Sequence, residues 1–335
     1  MMKAILLTAA GAPEVLQLSE CPLPELPDPN YLRVRLQAAG VNPVDHKLRQ
    51  RGGFFPDNLP VILGCDGAGI VEAIGDAVSR FQVGDEVYFF NGGLGGSEPG
   101  NYAEYTVVHQ DYVARKPSQL SMAQAAAVPL VWITAWESLV DRVQLQPQHS
   151  VLIHAGAGGV GHVAIQLAKY LQARVITTIS DPQKAEFAQS LGAEHCIDYT
   201  QEDFVTASLA WSAQQGVDVV FDTVGDEVFC RSVAATKIYG KIVTLLEPVC
   251  DSSTVKLAKQ RNLSLSYELM LTPTLNNMHH ARIAQRQMLE HASQLIETQQ
   301  LTVKVSQTLP LAQAADAHRL IAAGHTQGKI VLTID

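Results

Sequence analysis

The chain has 335 residues, 47% hydrophobic and 17% charged, with 24 Lys and Arg against 33 Asp and Glu. Such a composition packs a core and excludes a disordered or fibrous chain, and the length exceeds what one hydrophobic core usually serves, so two domains are expected. The net charge of −9 repels a phosphate backbone and argues against nucleic acid as a partner.

From the N-terminus, "MMKAILLTAAGA" has the outline of a secretory leader, yet "KAILLT" reads as an edge strand, which is the expectation here. "YLRVRLQAAGV", "AGIVEAIG", "GDEVYFF" and "AEYTVV" follow as short β-rich runs broken by glycine and proline, a spacing that predicts a compact β-barrel-like domain over residues 1–125. Within it "NGGLGGSEPGN", Asn91 to Asn101, predicts a loop. The longest apolar stretch, "AAAVPLVWITAW", contains Pro129 and stops at Glu137. It falls short of the roughly 18 residues of a membrane span, so a soluble protein without a membrane partner is expected.

Over residues 126–267 apolar strands alternate with helical patterns. "SVLIHAG" precedes "VGHVAIQLAKYLQ", "ARVITTIS" precedes "PQKAEFAQSLGA", and "VDVVFDTVG" and "GKIVTLL" follow. That alternation builds βαβ units around a parallel sheet. The tail, 268–335, carries one clear helix pattern, "HHARIAQRQMLEHASQLIETQQ", and a last strand in "GKIVLTID". Cys21, Cys65, Cys196, Cys230 and Cys250 are scattered and form no CxxC pair, a usage expected of a reduced, cytoplasmic protein.

Gly156, Gly158 and Gly161 form G-x-G-x-x-G after the apolar strand Val151 to His154 and at the opening of a helix with apolar Val160, Val163, Ala164, Leu167 and Ala168. In that setting the segment from Gly156 through Ala157, Gly158, Gly159 and Val160 to Gly161 reads as a dinucleotide cradle. Glycines admit the pyrophosphate, and the helix start offers free N–H groups. About 20 residues on, an acidic side chain would bind a ribose 2′-OH. The second strand instead runs out at Ile179, followed by Ser180, Asp181 and Pro182. Pro182 suits the first helical position, so Asp181 or Ser180 reads as the N-cap, and Ser180 with Gln183 has a capping-box spacing. Ser180 and Lys184 are then free to face a 2′-phosphate, although Lys184 also reads as a solvated helix lysine.

"AGVNPVDHK", "LGCDGAGIVEAIG", "VGDEVYFF", "AAAVPLVWITAWESL", "VLIHAGAGGVGHVAIQLAK" and "GKIVLTI" together resemble the medium-chain dehydrogenase/reductase superfamily along essentially the whole chain. The likeness is to its zinc-independent quinone oxidoreductase, or zeta-crystallin-like, branch. It implies an α/β protein with a GroES-like β-rich catalytic domain (1–125, completed by 268–335) and a Rossmann doubly wound parallel-sheet domain (126–267). It also implies a cleft where nicotinamide meets substrate, and a homodimer.

Zinc alcohol dehydrogenases of the superfamily bind their catalytic metal through the cysteine of a "GxCxxD" segment and the histidine of "GHE". Here "GVNPVD" puts Asn42 at the cysteine position and "GCDGAG" puts Cys65 at the histidine, with Asp66 beside it. A neutral asparagine replaces a thiolate poorly, so no catalytic metal is expected. His46, Cys65 and Asp66 are the set from which a rearranged site would be built. Without a Lewis acid the chemistry that remains is NADPH-dependent hydride transfer to a small electrophile, a quinone or an α,β-unsaturated carbonyl.

By the same resemblance Asn42 lies beside the reacting atoms, where its amide could meet a developing oxyanion, or it is a structural asparagine before Pro43. Asp45 orients that site or caps the following helix. Enoyl-thioester reductases carry a tyrosine donor after "NPxD", whereas "RGGFFP" offers Phe54 and Phe55. Phe55 is either a stacking surface for a flat acceptor or core packing. Thr134 matches a threonine near the nicotinamide, and Tyr199 a tyrosine that holds the 2′-phosphate of NADPH. Thr223, Leu245, Leu246 and Lys329 match residues lining the cofactor cleft, although "LLEP" departs from the usual glycine-containing loop. Two other functions fit the sequence: a zinc alcohol dehydrogenase with atypical ligands, and a non-catalytic, crystallin-like NADPH-binding protein.

Overall fold

The short β-rich N-terminal runs form strands, and the computed structural model describes residues 1–324 and 326–335. The strands are β1 (Met2–Leu7), β2 (Leu16–Cys21), β3 (Tyr31–Val41), β4 (Val61–Ile62), β5 (Asp66–Ile74), β6 (Glu86–Phe90), β7 (Tyr105–His109) and β8 (Val113–Arg115). "KAILLT" is thus a strand, paired antiparallel with both β2 and β4. Helix α1 (Pro43–Arg51) lies between β3 and β4, and α2 (Met122–Ala126) and α3 (Pro129–Trp136) follow β8. The glycine-rich loop 91–101 carries no helix or strand.

The following strands are β9 (Ser150–Ile153), β10 (Arg174–Ile179), β11 (His195–Asp198), β12 (Val217–Asp222), β13 (Thr236–Thr244) and β14 (Ser264–Tyr267). They alternate with α4 (Gly159–Tyr170), α5 (Pro182–Leu191), α6 (Phe204–Trp211), α7 (Asp226–Ala235) and α8 (Ser252–Gln260). The tail adds α9 (Thr272–Leu275), α10 (His279–Glu297), β15 (Val305–Pro310), α11 (Ala314–Ala323) and β16 (Lys329–Thr333).

Two units result, Met1–Leu130 with Leu271–Asp335, and Val131–Met270. The sequence texture changes at about 125 and 267; the structural division falls at 130, inside α3, and at 270.

In the first unit β3 is the hub. It pairs antiparallel with β5, β7 and β16, so strands from both ends of the chain close one sheet. Its residues alternate between buried and half-buried as far as Gln37, and from Ala38 to Val41 every residue is buried. Register then places chemistry: Gly40 faces Asp66 on β5 and Val41 faces Ile330 on β16, which brings Lys329 next to the residue after Val41.

The second unit is an all-parallel sheet in the order β11-β10-β9-β12-β13-β14, the doubly wound arrangement that reverses direction between β9 and β12. Its central strands are buried on both faces, as "SVLI" and "VVF" demand. Leu152, Ile176, Ile197, Val220, Phe229 and Ile242 form its core.

One expectation is overturned here. Cys230 on α7 and Cys250 before α8 are joined by a disulfide, their Cα atoms 5.5 Å apart, while Cys21, Cys65 and Cys196 are free. Spacing in sequence could not anticipate it, because the pairing depends on how α7 packs beside the chain leaving β13. Among the described residues no helix is long and apolar enough to cross a membrane.

Candidate nucleotide and substrate site

The glycine turn of the second unit is shaped by its neighbours. A Cβ on Gly156 would stand 2.0 Å from Thr177 Oγ1, and one on Gly161 2.2 Å from the Ala155 carbonyl, so both positions need glycine for close packing. Ala157 is buried, and Gly158 is the N-cap of α4. The N–H groups of Gly159, Val160 and Gly161 lie in the first turn, where a helix provides no partner of its own.

Thr177 and Thr178, which the sequence does not single out, fasten this turn together with Thr223, which it does. Thr178 Oγ1 accepts the Ala155 N–H at 3.0 Å, Thr177 Oγ1 donates to the Ile153 carbonyl at 2.6 Å, and Thr223 Oγ1 donates to the His154 carbonyl at 2.8 Å. His154 is buried between Thr178 and Ser232, and burial lowers its pKa to about 4, so it is a neutral tether. At the end of β12 the Asp222 carboxylate accepts N–H groups of Val224 and Gly225 and the Thr244 hydroxyl. Leu245 N–H donates to the Asp222 carbonyl, and Leu246 covers Gly225.

At the end of β10, Asp181 is the N-cap of α5, with Oδ1 accepting Lys184 N–H at 2.9 Å and Pro182 in the first turn. That corrects the Ser180–Gln183 capping box: Ser180 precedes the cap. Lys184 Nζ instead donates to Ser180 Oγ at 2.7 Å and pairs with Asp181 Oδ2 at 3.1 Å. The Lys184 backbone N–H holds the Asp181 carboxyl below its ordinary range, with its ammonium and Ser180 adding to the effect. Tyr199 N–H donates to the Ile179 carbonyl, so its half-exposed ring stands beside the same strand end.

A cavity of about 580 Å³ opens at the C-terminal ends of β10, β11 and β12, lined by His154, Thr178, Tyr199, Phe204, Val224 and Arg231. The Arg231 guanidinium lies 4.9 Å from the Phe204 ring centroid. The volume suits a small-molecule subsite at the crevice where such sheets bind nucleotides. Glycines that a Cβ would jam, an open helix start and this cavity fit a dinucleotide. Thr134, the other nicotinamide-side candidate, is buried on α3.

In the first unit Asn42 follows β3 and caps α1. It is fully buried; Nδ2 donates to Asp66 Oδ2 at 2.9 Å, and Oδ1 accepts from Lys329 Nζ. The expectation of an amide turned to a substrate oxyanion is therefore corrected, since the carboxamide is turned into the protein. Lys329, expected to line a cofactor cleft, is likewise buried, with Nζ on Asn42, the Val41 carbonyl (3.2 Å) and Asp66 (3.4 Å). The second Asp66 oxygen accepts Leu130 N–H. Burial raises the Asp66 pKa, and the Lys329 charge opposes that rise.

Asp45 takes the Asn42 backbone N–H at 2.8 Å, as a helix-capping carboxylate does. It also accepts from Tyr102 OH (3.1 Å) and Cys65 Sγ (3.6 Å), and Tyr102 reaches His318 Nε2 at 3.3 Å. Desolvation dominates here: it lifts Asp45 to about 7, raises the Cys65 thiol and Tyr102 phenol well above their usual values and drops His318 to about 3. His46 pairs with Arg49 rather than joining Cys65 and Asp66. Phe55 is 43% exposed beside Gly96, which removes the core-packing reading. Tyr102 and His318 carry no local sequence signal; they are brought in by packing across 216 positions.

An alcohol dehydrogenase GroES-like domain model matches residues 28–118, and a zinc-binding dehydrogenase model matches residues 191–332. The quinone oxidoreductase of Pseudomonas aeruginosa is 35% identical over 99% of both chains. The NADPH-dependent alkenal/one oxidoreductase of Arabidopsis thaliana is 39% identical over 73% of this chain and 62% of its own. The Escherichia coli quinone oxidoreductase solved with NADPH superposes with a TM-score of 0.86 at 30% identity, covering 99% of each chain. The chain belongs to the medium-chain dehydrogenase/reductase superfamily, in its quinone oxidoreductase branch. It is an oxidoreductase whose Rossmann domain binds a nucleotide cofactor.

Proposed function

We propose that the chain is an NADPH-dependent reductase of quinones or α,β-unsaturated carbonyls that works without catalytic zinc. The observation that carries this reading is Lys329. Its ammonium sits among Asn42 Oδ1, Asp66 Oδ2 and the Val41 carbonyl, oxygens that a metal at the Asn42 position would need. The site thus carries its own cation, and the carboxylate is spent on it. Bound NADPH supplies the hydride. The start of α4 holds the pyrophosphate, Lys184 and Ser180 with Tyr199 receive the 2′-phosphate, and the Arg231–Phe204 cavity takes the adenine side. Phe55 offers an exposed face for a flat acceptor. Tyr102 and Cys65 are sealed donors committed to Asp45, so water completes the protonation of the reduced product.

A second reading is favoured by Asp181, a carboxylate at the end of β10 that could accept a ribose 2′-OH and make the cofactor NADH. We infer a homodimer joined along β14, a sheet-edge strand with Leu265 and Tyr267 exposed. The surface charge speaks against nucleic acid. A cytoplasmic location stays part of the proposal, and the redox state of Cys230 and Cys250 in the isolated protein probes it.

The test is one assay: oxidation of NADPH and of NADH with 1,4-benzoquinone, 9,10-phenanthrenequinone and short enones, with and without chelator. NADPH-preferring, chelator-resistant turnover is expected. Preference for NADH, activity lost with zinc, or cofactor binding without turnover on any acceptor would each replace the reading with one of its rivals.

A further inference from the structure

β7 ends at His109, the short turn Gln110–Tyr112 follows, and α10 opens at His279. These segments are distant in sequence, yet one ligand atom from each of His109, Asp111 and His279 lies within 4.8 Å of the others. Asp111 Oδ2 stands 3.4 Å from His279 Nε2 and 3.7 Å from His109 Nδ1. Donors bound at about 2.0–2.1 Å in a tetrahedral site are about 3.3 Å apart, so two of the three edges are already close to the required length. We propose that His109, Asp111 and His279 bind a divalent first-row transition metal ion of the zinc type, at a site that shares no residue with the cluster around Asn42.

The donor set points to the metal class. Two imidazoles and one carboxylate suit zinc, cobalt or nickel, whereas magnesium and calcium prefer oxygen throughout. The surroundings also supply an outer partner: Tyr112 OH lies 2.7 Å from His279 Nδ1. With Nδ1–H donating to that oxygen, the Nε2 lone pair is left for the ion, as outer-shell partners of metal-bound histidines arrange. The nearby Arg282 cation lies over the Tyr112 ring at 3.8 Å and is neutralised by Glu98. Binding at His109 Nδ1 replaces its 3.2 Å hydrogen bond from the Asp111 amide. Side-chain exposures of 16%, 31% and 45% for His109, Asp111 and His279 leave the ion a way in and room for water as a further ligand. The ion would tie the β7 turn to the start of α10, two segments 167 residues apart at Tyr112 and His279.

The test uses the untagged full chain, stripped with chelator and titrated with zinc chloride by calorimetry and with cobalt(II) by visible absorption. One saturable site in the micromolar range or tighter is expected, with a zinc-dependent rise in unfolding temperature. Asp111→Asn and His279→Ala should each weaken it roughly tenfold or more and abolish the cobalt bands, and Tyr112→Phe should weaken it with stoichiometry kept. His149→Ala, a surface control, should bind as the wild type does. Asp111→Asn, a conservative change at a half-buried position, carries the test if His279→Ala fails to fold. Absence of saturable binding below millimolar zinc, or equal affinity in the wild type and Asp111→Asn, overturns the proposal.

Discussion

Replacing Lys184 by alanine tests the cofactor assignment most directly. The Lys184 side chain is 15% exposed, and its ammonium is already shared between Ser180 Oγ and the Asp181 carboxylate. A unit charge pair at about 4 Å and an effective dielectric of 20 is worth about 4 kcal/mol, and a 2′-phosphate carries nearly two charges. Asp181 competes for the same cation and desolvation takes a further share, which leaves about 1.5–3 kcal/mol, or roughly 10- to 150-fold. Lys184→Ala should therefore raise KM for NADPH by that factor and leave KM for NADH within about twofold. Asp181→Asn complements it, because asparagine remains a good N-cap while the competing charge is lost; KM for NADPH should fall. Steady-state kinetics with both cofactors decides. Equal losses for NADPH and NADH in Lys184→Ala, or an unchanged preference, would refute the reasoning.

Three further outcomes follow from the packing. Burial lifts the Asp45 pKa to about 7 from about 3.9 in an unfolded chain. The folded state therefore keeps a proton that the unfolded chain releases: this stabilising contribution is full below about pH 4 and is lost as pH rises through 7, at up to about 1.4 kcal/mol per pH unit. Asp45→Asn should flatten urea-derived stability across that window, and an unaltered slope would contradict the burial argument. Gly161→Ala, whose Cβ would lie 2.2 Å from the Ala155 carbonyl, should cost about 1–3 kcal/mol. Gly158→Ala, at 3.1 Å from the same atom, should cost under about 1 kcal/mol yet impair NADPH binding, and equal unfolding midpoints for the two variants would count against the packing account. Reducing Cys230–Cys250, 20 residues apart, should lower stability by about 3 kcal/mol on the loop-entropy model. Denaturation curves that do not move with reductant, or five free thiols in the native chain, would remove the bond from the account.

What the sequence reveals are the parts whose causes are local. The strand, glycine turn and helix at 150–170 follow from periodicity and from where glycine is tolerated, and Pro182 marks the start of α5. The choice between Ser180 and Asp181 as cap was not legible, because both are good caps and only backbone geometry separates them. β14, "SLSY", escaped because it is only four residues long and none of them is fully buried, so it leaves too short a signal. The polar cluster of the first unit was out of reach for another reason. Asn42, Asp66, Tyr102, His318 and Lys329 come together through strand register and helix packing over separations as large as 287 residues, and no spacing rule spans that distance. The motif comparison put Asn42 at the position of a metal-binding cysteine; the structure sets it just after β3, and which way its amide points depends on Lys329.

The closing of the first unit by β16 also sets an order of events during synthesis. Ribosomes deliver β3 and β5, the latter beginning at Asp66, some 260 residues before Lys329. Residues 131–270 form an uninterrupted stretch with its own sheet and core, so they can finish folding while that carboxylate still lacks its counter-charge. An uncompensated buried charge is strongly disfavoured, so enclosing the ionised Asp66 becomes favourable once β16 places Lys329 beside it. The interior around Asn42 therefore seals only once β16 has paired with β3 and brought Lys329 to it.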